Sequence, residues 1–287
     1  METEMMKNDL SLEILATRAR LLLLEGIYTA QSGHPGGSLS CVDALTALYF
    51  DEMRVDSANP LEPNRDRFVL SKGHCAPALY AVLALRGFFP KEDMKLLRSM
   101  KAHLSGHPDM VHVPGVDMST GSLGQGISAA VGMALAAKTQ GWSYRTYALC
   151  GDGEMDEGQV WEAVMAAAKW KLDNLCLLVD VNGLQIDGST ETVMPTSPLD
   201  EKIAAFHWHV LHADGHSFDQ LRTALDEARA TADQPTVILL RTVKGKGVSF
   251  MENDAGWHGK APNEAQYAAA VTELTGKLRD LEGIDHG

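Results

Sequence analysis

The sequence predicts an α/β fold built on a mainly parallel sheet with helices on both faces. Between residues 145 and 241, short apolar runs typical of buried strands alternate with segments of helical periodicity. Such alternation is typical of parallel strands joined by helical crossovers. The 287 residues, 45% hydrophobic and 22% charged, suffice for one large domain or two small ones. No internal repeat or low-complexity linker marks a boundary.

In the first half of the chain, the sequence predicts five helices and a single strand at 66–71. Apolar side chains recur at helical spacing in the first of these helices. The predicted helices are 9–32, 41–50, 75–86, 91–100 and 125–139. In the segment SGHPGGS, we expect Gly33, Pro35, Gly36 and Gly37 to break regular structure and to place His34 on a loop. Residues 101–124 are also rich in Gly and Pro and predict a loop.

In the second half of the chain, predicted strands alternate with predicted helices. Strands are predicted at 145–150, 175–180, 208–212 and 236–241, with helices at 157–170, 199–205 and 217–231. The connection 181–199 predicts a loop. A last helix is expected from Asn263, which suits the N-cap position, to about Leu281.

The composition excludes several classes of function. The net charge of −13 argues against nucleic acid as a partner, because phosphate backbones are bound by Lys and Arg. The N-terminal METEMMKNDLSLE is polar and acidic, unlike a signal peptide, and no apolar run approaches the roughly 18 residues of a membrane span. We therefore expect a cytoplasmic protein that binds neither nucleic acid nor membrane.

The cysteines indicate neither a disulfide framework nor a zinc site. None of the four shows CxxC spacing. Cys150 and Cys176 fall in predicted buried strands, where a free thiol behaves as a small apolar residue. The other two are Cys41 and Cys75.

Two polar residues follow neighbouring predicted strands, about 30 residues apart: Asp152 and Asn182. Because ligands of a parallel sheet bind at the carboxyl ends of its strands, we expect these side chains to meet. Their oxygens suit magnesium or calcium, and the turn at Gly151 and Gly153 leaves room for a diphosphate. A lone GDG would indicate only a tight turn, but the pair favours a cation site. We expect Asp180 to be structural.

Two further features allow both a functional and a structural interpretation. TGSLGQGISAAVGMALAAK places glycines at 121, 124, 126 and 132, which let a backbone approach a cofactor or let a small-residue helix pack tightly. Glu157 begins a predicted helix, where the helix dipole favours an acid, or it has a role in a dimer.

Four histidines lie in Gly- or Ser-rich loops, where imidazoles can donate to phosphate or hydroxyl oxygens and move protons near neutral pH. They are His34, His74, His107 and His258. Other histidines have no motif around them and are expected to be structural or on the surface: His112, His207, His209, His212 and His216. His103, close to His107, is ambiguous.

The motifs together resemble the transketolase family. From about residue 10 to 265, the chain contains in family order SGHPGGS, DRFVLSKGHCAPALY, SGHPD, STGSLGQGISAAVGMALA, GDGEMDEGQVWEA, DVNGLQIDG and VKGKGVSFMENDAGWHGK. Deoxyxylulose-phosphate synthase shares the GDG motif but differs in the early histidine loops, and the alpha subunit of pyruvate dehydrogenase is a weaker match. The resemblance implies the thiamine diphosphate-binding fold, with residues 1–287 as its single diphosphate-binding domain.

The resemblance also implies a role for each motif residue. A magnesium ion, for which Ca²⁺ or Mn²⁺ can substitute, would bind Asp152, Asn182 and the Leu184 carbonyl. The residues implied at thiamine diphosphate are His74, Gly121, Leu123, Gly153, Glu157, Asn182 and His258. The residues implied at the sugar are His34, His107 and His258. Glu157 matches the family's acid that couples two active sites across the dimer.

A transketolase transfers a two-carbon ketol unit from a ketose phosphate to an aldose. The resemblance ends with the first of three family domains, so we expect the N-terminal half of a split enzyme that is inactive alone. A partner subunit with the aminopyrimidine-binding domain would complete a heterotetramer with two copies of each chain. The alternatives are a ketol transferase for a non-standard sugar and a non-catalytic cofactor-binding or regulatory subunit. The first loop, SGHPGGSLS, lacks the family's common small apolar residue and Pro after SGHPG, which leaves the sugar open.

Overall fold

The computed structural model describes residues 8–100 and 103–284. Five parallel strands form one sheet, in the order β1-β2-β3-β7-β6, and two very short strands form an antiparallel hairpin. The strands are β1 (Arg67–Leu70), β2 (Thr146–Gly151), β3 (Leu175–Val181), β4 (Leu184–Gln185), β5 (Gly188–Ser189), β6 (His209–Asp214) and β7 (Thr236–Arg241). The predicted parallel sheet is confirmed.

Helices cover both faces of this sheet. In the described part of the chain they are α1 (Asp9–Ala30), α2 (Pro35–Ala47), α3 (Ala76–Arg86), α4 (Gln125–Gln140), α5 (Gly158–Lys169), α6 (Thr190–Val193), α7 (Leu199–Ala204), α8 (Phe218–Ala230) and α9 (Glu264–Ile284). Asn263 caps α9 as predicted: its Oδ1 accepts from the Gln266 amide at 2.9 Å. Short turns of other helix types are Leu48–Glu52 (π) and Gly73–Cys75, Lys91–Leu96, Gly153–Asp156 and Ala255–Trp257 (3₁₀).

Strands β1, β2, β3 and β7 bury side chains on both faces of the sheet, because alternate side chains point to opposite sides; the edge strand β6 is more exposed. Leu149 and Leu178 belong to a core that includes α1, α2, α3, α8 and α9. Ala148 and Leu177, their sequence neighbours, belong to a second core with α4, α5 and α7. This double burial explains why the strands read as continuous apolar runs rather than as alternating patterns.

The structure corrects the prediction at the start of α2. We expected Pro35, Gly36 and Gly37 to break regular structure, but they form the first turn of the helix, with His34 as its N-cap. Proline is well suited to the first helical turn, since its missing N–H has no partner there anyway. A Cβ on Gly36 would lie 3.0 Å from the Trp257 carbonyl oxygen, so the glycine allows close packing.

Two other segments also differ from expectation. The helix predicted at 91–100 is only the short 3₁₀ turn Lys91–Leu96, and Arg98 has a left-handed φ of 60° that ends it. The loop predicted at 181–199 contains the β4–β5 hairpin and the single turn α6. Elements of two to four residues are too short to show a hydrophobic period.

The structure tests the expectations about thiols and membrane spans for the described residues only. All four cysteines are free and buried. In 8–100 and 103–284, no helix has the length and apolar character needed to cross a bilayer. Most of the N-terminal segment that argued against a signal peptide, residues 1–7, lies outside the described residues.

A buried polar network joins α1, α2 and the loop after β7. Arg20 binds both carboxylate oxygens of Asp43, at 2.8 and 2.6 Å. His216 Nδ1 donates to Asp43 at 2.7 Å, while its Nε2 accepts from the Val243 amide at 2.9 Å. Burial alone would raise the pKa of Asp43, but Arg20 and His216 hold it well below its ordinary value. The network fixes the chain that leads into residue 244.

Replacing Asp43 with Asn should destabilise the fold by about 3–5 kcal/mol, because the buried Arg20 guanidinium loses its counter-charge. The measurement is the free energy of unfolding in urea. The matched control is Glu282→Gln, which breaks the 2.7 Å pair with Arg18 where both side chains are exposed, and it should cost less than about 1 kcal/mol. Equal effects of the two substitutions would contradict the role of this network.

Candidate functional site

A cleft opens at the carboxyl edge of the sheet, near the point where the strand order reverses. The chain adds β1, β2 and β3 side by side, continues to β6 at the far edge and returns to place β7 beside β3. Ligand sites of open parallel sheets occur at such reversals. The cleft has a volume of about 250 Å³. Its lining residues are His34, Gly37, Lys72, His74, Gly121, Leu123, Gly151, Asp152, Gly153, Glu154, Asn182, Leu184, Gln185, Ile186, Lys244 and His258.

Three of the four loop histidines meet in this cleft. The ring centroids of His34 and His74 are 5.1 Å apart, those of His74 and His258 are also 5.1 Å apart, and those of His34 and His258 are 5.5 Å apart. They come from the N-cap of α2, the turn after β1 and the segment after the 3₁₀ turn Ala255–Trp257. His34 Nδ1 is buried and has no hydrogen-bond partner among the described residues.

The fourth loop histidine lies beside the cleft rather than in its lining. A Cβ added to Gly121, which does line the cleft, would meet His107 Cδ2 at 3.1 Å. The His107 carbonyl accepts from the hydroxyl of Tyr80 at 2.7 Å, which fixes the loop. Glu157 is further removed: it is exposed at the N-cap of α5, makes no capping hydrogen bond and does not line the cleft.

The turn after β3 brings the predicted metal-binding residues together. Asp152 Oδ1 accepts from the Gly153 amide at 2.9 Å, and its Oδ2 accepts from the Gly183 amide at 2.6 Å. Asn182 Oδ1 accepts from the Leu184 amide at 3.1 Å. Both side chains are thus held in short turns, with oxygens in the same cleft. Burial and the nearby Asp180 raise the pKa of Asp152 to about 6.

Lys244 is a cleft residue that the sequence reasoning missed. Its Nζ donates to the Leu184 carbonyl at 3.2 Å and to His258 Nδ1 at 3.0 Å. Because an ammonium only donates, His258 Nδ1 is an acceptor, and the imidazole carries its proton on Nε2. Burial and the positive charge of Lys72 lower the pKa of Lys244. The only sequence signal was the position of this lysine within the motif VKGKG.

A second missed lysine lies beneath the cleft. Lys72 forms a fully buried ion pair with Asp180, and it also donates to the Gly37 carbonyl at 3.0 Å. Asp180 accepts further from Ser40 at 2.5 Å and from Thr242. Burial alone would raise the pKa of Asp180 and lower that of Lys72, but their attraction shifts both pKa values the other way. Both groups are therefore charged, and Asp180 lies in a buried network.

Glu154, also missed, ties three loops of the site together. One carboxylate oxygen accepts from the Ser71 hydroxyl at 2.5 Å and from the Gly124 amide at 2.9 Å, and the other accepts from the Gly151 amide at 3.1 Å. Nothing in the sequence distinguishes this buried carboxylate from the exposed acids that follow it.

The two histidines that bracket the cleft are neutral near pH 7. Burial, with the nearby His74, lowers the pKa of His34 to about 4. Burial and the Lys244 ammonium lower the pKa of His258 to about 3. Burial and Arg98 also lower the pKa of His107. Neutral imidazoles can donate from one ring nitrogen and accept at the other, so the cleft can bind hydroxyl groups and accept protons.

Closely packed glycine backbones and nearby donor side chains also suit the cleft to an anionic group. A Cβ on Gly37 would lie 2.9 Å from Cys75 Sγ, and one on Gly153 would lie 2.9 Å from Gln185 Cγ. The glycine backbones therefore lie against neighbours that leave no room for side chains. Lys244 and His74 line the same cleft and provide donors.

Comparisons with known proteins agree on one family. Residues 12–277 match the family described as "Transketolase, thiamine diphosphate binding domain". The chain is 44% identical over 277 residues to a subunit of the apulose-4-phosphate transketolase of Phocaeicola vulgatus, with 96% of this chain and 98% of that protein covered. It is 47% identical over 270 residues to 6-deoxy-6-sulfo-D-fructose transketolase subunit SqwG of Clostridium sp., with 94% and 98% covered.

A solved structure supports the same fold. The crystal structure of transketolase from Campylobacter jejuni superimposes with a TM-score of 0.85 at 32% identity. The match covers 92% of this chain but 43% of that one, so the chain spans less than half of that transketolase.

Titration of the imidazole resonances by NMR should give pKa values of about 4 for His34 and about 3 for His258. Because the unfolded state takes up these protons at a pKa of about 6.5, the fold loses stability as pH falls below that value towards 4. The variants His34→Gln and His258→Gln assign the signals. A titration of either ring near pH 6.5 would contradict the buried, neutral arrangement.

Proposed function

Because the chain belongs to the transketolase family, we propose that it is the part of a split transketolase that binds the diphosphate and metal of thiamine diphosphate. The reaction is transfer of a two-carbon ketol unit from a ketose phosphate to an aldose. The observation that carries the proposal is the meeting of His34, His74 and His258 with the Asp152 turn in one cleft. His74 and His258 can serve the cofactor, but a cofactor-binding protein without catalytic function would not need the third imidazole, His34.

The residues fit a hard divalent cation. Asp152, Asn182 and the Leu184 carbonyl offer three oxygens in one cleft, and diphosphate oxygens and water would complete six ligands. In the described part of the chain, no cluster of three His, Cys, Asp or Glu side chains could hold a metal. The proposed site is not a cluster of that kind, because only one of its three protein ligands is a carboxylate. We infer Mg²⁺, for which Ca²⁺ or Mn²⁺ can substitute.

The residues also fit a diphosphate. The Gly153 backbone, His74 and His258 would donate to its oxygens, with Gly121 and Leu123 beside the cofactor. Lys244 would supply a positive charge, because its ammonium is buried and needs an anion. When bound, thiamine diphosphate supplies the electron sink that lets a carbon–carbon bond beside a carbonyl break.

The histidines would accept protons from the hydroxyl groups of the sugar and donate protons to them. Neutral His34 and His107 can accept a hydroxyl proton. Because Lys244 occupies its Nδ1, His258 has one N–H, on Nε2, which can donate either to the diphosphate or to a sugar hydroxyl. Enclosure of His34 and His258 in the cleft, with His107 beside it, would position the hydroxyl groups before reaction. Glu157 would act elsewhere: it is an exposed acid at the start of α5 that another chain of the assembly can reach. It is our candidate for the coupling of two sites across the dimer.

A partner subunit would complete the site. The cleft of about 250 Å³ is below the roughly 300–1,000 Å³ of a complete small-molecule site. The two relatives described above match over almost their full length, and both are named as subunits. We therefore propose a partner with the aminopyrimidine-binding domain, two copies of each chain in the assembly, and no activity for this chain alone.

A non-standard sugar is a second candidate substrate. The same two relatives are named for apulose-4-phosphate and for 6-deoxy-6-sulfo-D-fructose. The sugars of those names differ in their anionic group, which is a phosphate in one and a sulfo group in the other. The head group of the sugar is therefore the part of the substrate that the assay must vary.

The proposal is tested by co-expressing the chain with its candidate partner and assaying ketol transfer from xylulose 5-phosphate, and from a sulfo sugar, to ribose 5-phosphate. Activity is expected only with both chains, thiamine diphosphate and Mg²⁺. Activity of this chain alone, or a complex that binds no thiamine diphosphate, would contradict the proposal. Turnover of the sulfo sugar alone would keep the chemistry and reassign the substrate.

A variant pair in the same assay tests the histidine roles. His258→Ala should lower turnover at least about a hundredfold, because a positioned proton donor is lost. His112→Ala is the control, since the His112 side chain is exposed and pairs with Asp109, outside the cleft. Equal turnover of the two variants would remove His258 from the reaction.

A further inference from the structure

The ammonium of Lys244 lies where the proposed metal needs a ligand. Its Nζ is 3.2 Å from the carbonyl oxygen of Leu184, the third oxygen of the proposed metal site. The other two, on Asp152 and Asn182, line the same cleft. The ammonium beside this oxygen repels a divalent cation that would coordinate it, so the positive charge weakens binding of the metal alone.

The lysine is held in this position by its surroundings. A Cβ on Gly36 would lie 3.1 Å from Lys244 Cγ and 3.3 Å from its Cε, so the stem runs along the backbone of α2. The Gly245 amide donates to the Gly36 carbonyl at 3.0 Å, and the Asn253 amide donates to the Lys244 carbonyl at 2.9 Å. The backbone on both sides of the lysine is thereby fixed.

The ammonium has no carboxylate partner. Lys244 is 2% exposed, yet none of the ion pairs found in residues 8–100 and 103–284 includes it. Its polar partners are the Leu184 carbonyl and a neutral imidazole. Lys72, the other buried lysine of the cleft, has Asp180. A buried charge that lacks a counter-ion is costly, so the arrival of an anion beside the ammonium is favourable.

We propose that in the cofactor-free chain Lys244 holds the Leu184 carbonyl, one of the three proposed ligands of the metal, and releases it when a diphosphate arrives. This rests on the proposed function, because it assumes the cation site of Asp152, Asn182 and Leu184. A divalent cation alone must displace the ammonium and binds weakly. A cation that arrives with a diphosphate binds well, because the anion draws the ammonium off the Leu184 carbonyl. Metal and diphosphate are therefore loaded together.

The test is Mn²⁺ binding to the full chain without cofactor, measured by the electron paramagnetic resonance of free Mn²⁺. Lys244→Met should bind Mn²⁺ at least about tenfold more tightly than the wild type, because a positive charge next to the ion is gone. Lys244→Gln, a second neutral variant, should show the same direction and serves if the first does not fold. Lys244→Arg keeps the charge and should bind as weakly as the wild type.

Two controls separate this inference from the proposed function. Lys246→Met removes a half-exposed lysine two residues away that pairs with Glu252, and it should leave Mn²⁺ binding unchanged. Asp152→Asn combined with Lys244→Met should abolish the gain, which locates the ion. If that double variant loses the ion but the neutral variants bind no more tightly than the wild type, the inference is overturned and the metal site stands. If no variant binds Mn²⁺ even with thiamine diphosphate and the partner chain present, both the site and the inference are overturned.

Discussion

The buried ion pair between Lys72 and Asp180 is the contact on which the site depends. Two charges removed from water are tolerated only when each is well paired, so the segments that carry them are held in register. Asp180 ends β3, Lys72 follows β1, and their remaining bonds reach Gly37 and Ser40 on α2 and Thr242 after β7. The loops that carry the cleft residues start from these points. A polar network thus lies under the cleft. Its charges neutralise each other in the core, and the charged groups that face the cleft are separate from them.

The electrostatics of the cleft follow from this separation. With Lys72 neutralised by Asp180, the positive charge that faces the cleft is that of Lys244, and it suppresses protonation of His258. His34 and His258 stay neutral and able to accept protons, while the Lys244 ammonium is available for an anion. A surface cleft with the same side chains would be screened by water, and its histidines would titrate near their ordinary pKa.

Sequence patterns predicted the sheet and most of the helices because long apolar segments carry a period. The resemblance to transketolase implied that His34, His74, His107 and His258 belong with the Asp152 and Asn182 turn, and all of these except His107 line one cleft. The patterns missed Lys72, Lys244 and Glu154, because a buried charge is recognised only from the partners that surround it in three dimensions. The start of α2 was mispredicted for a related reason. Glycines that permit close packing and glycines that break a helix look alike in a sequence.

The central claim is that this chain holds one half of a thiamine diphosphate site that a partner chain completes. Calorimetric titration of thiamine diphosphate with Mg²⁺ tests it most directly, using the chain alone, the partner alone and the mixture. The account predicts that the mixture binds the cofactor much more tightly than either chain, and that Asp152→Asn weakens binding by the mixture. Equally tight binding by the chain alone would contradict it, as would binding by the mixture that is indifferent to Asp152.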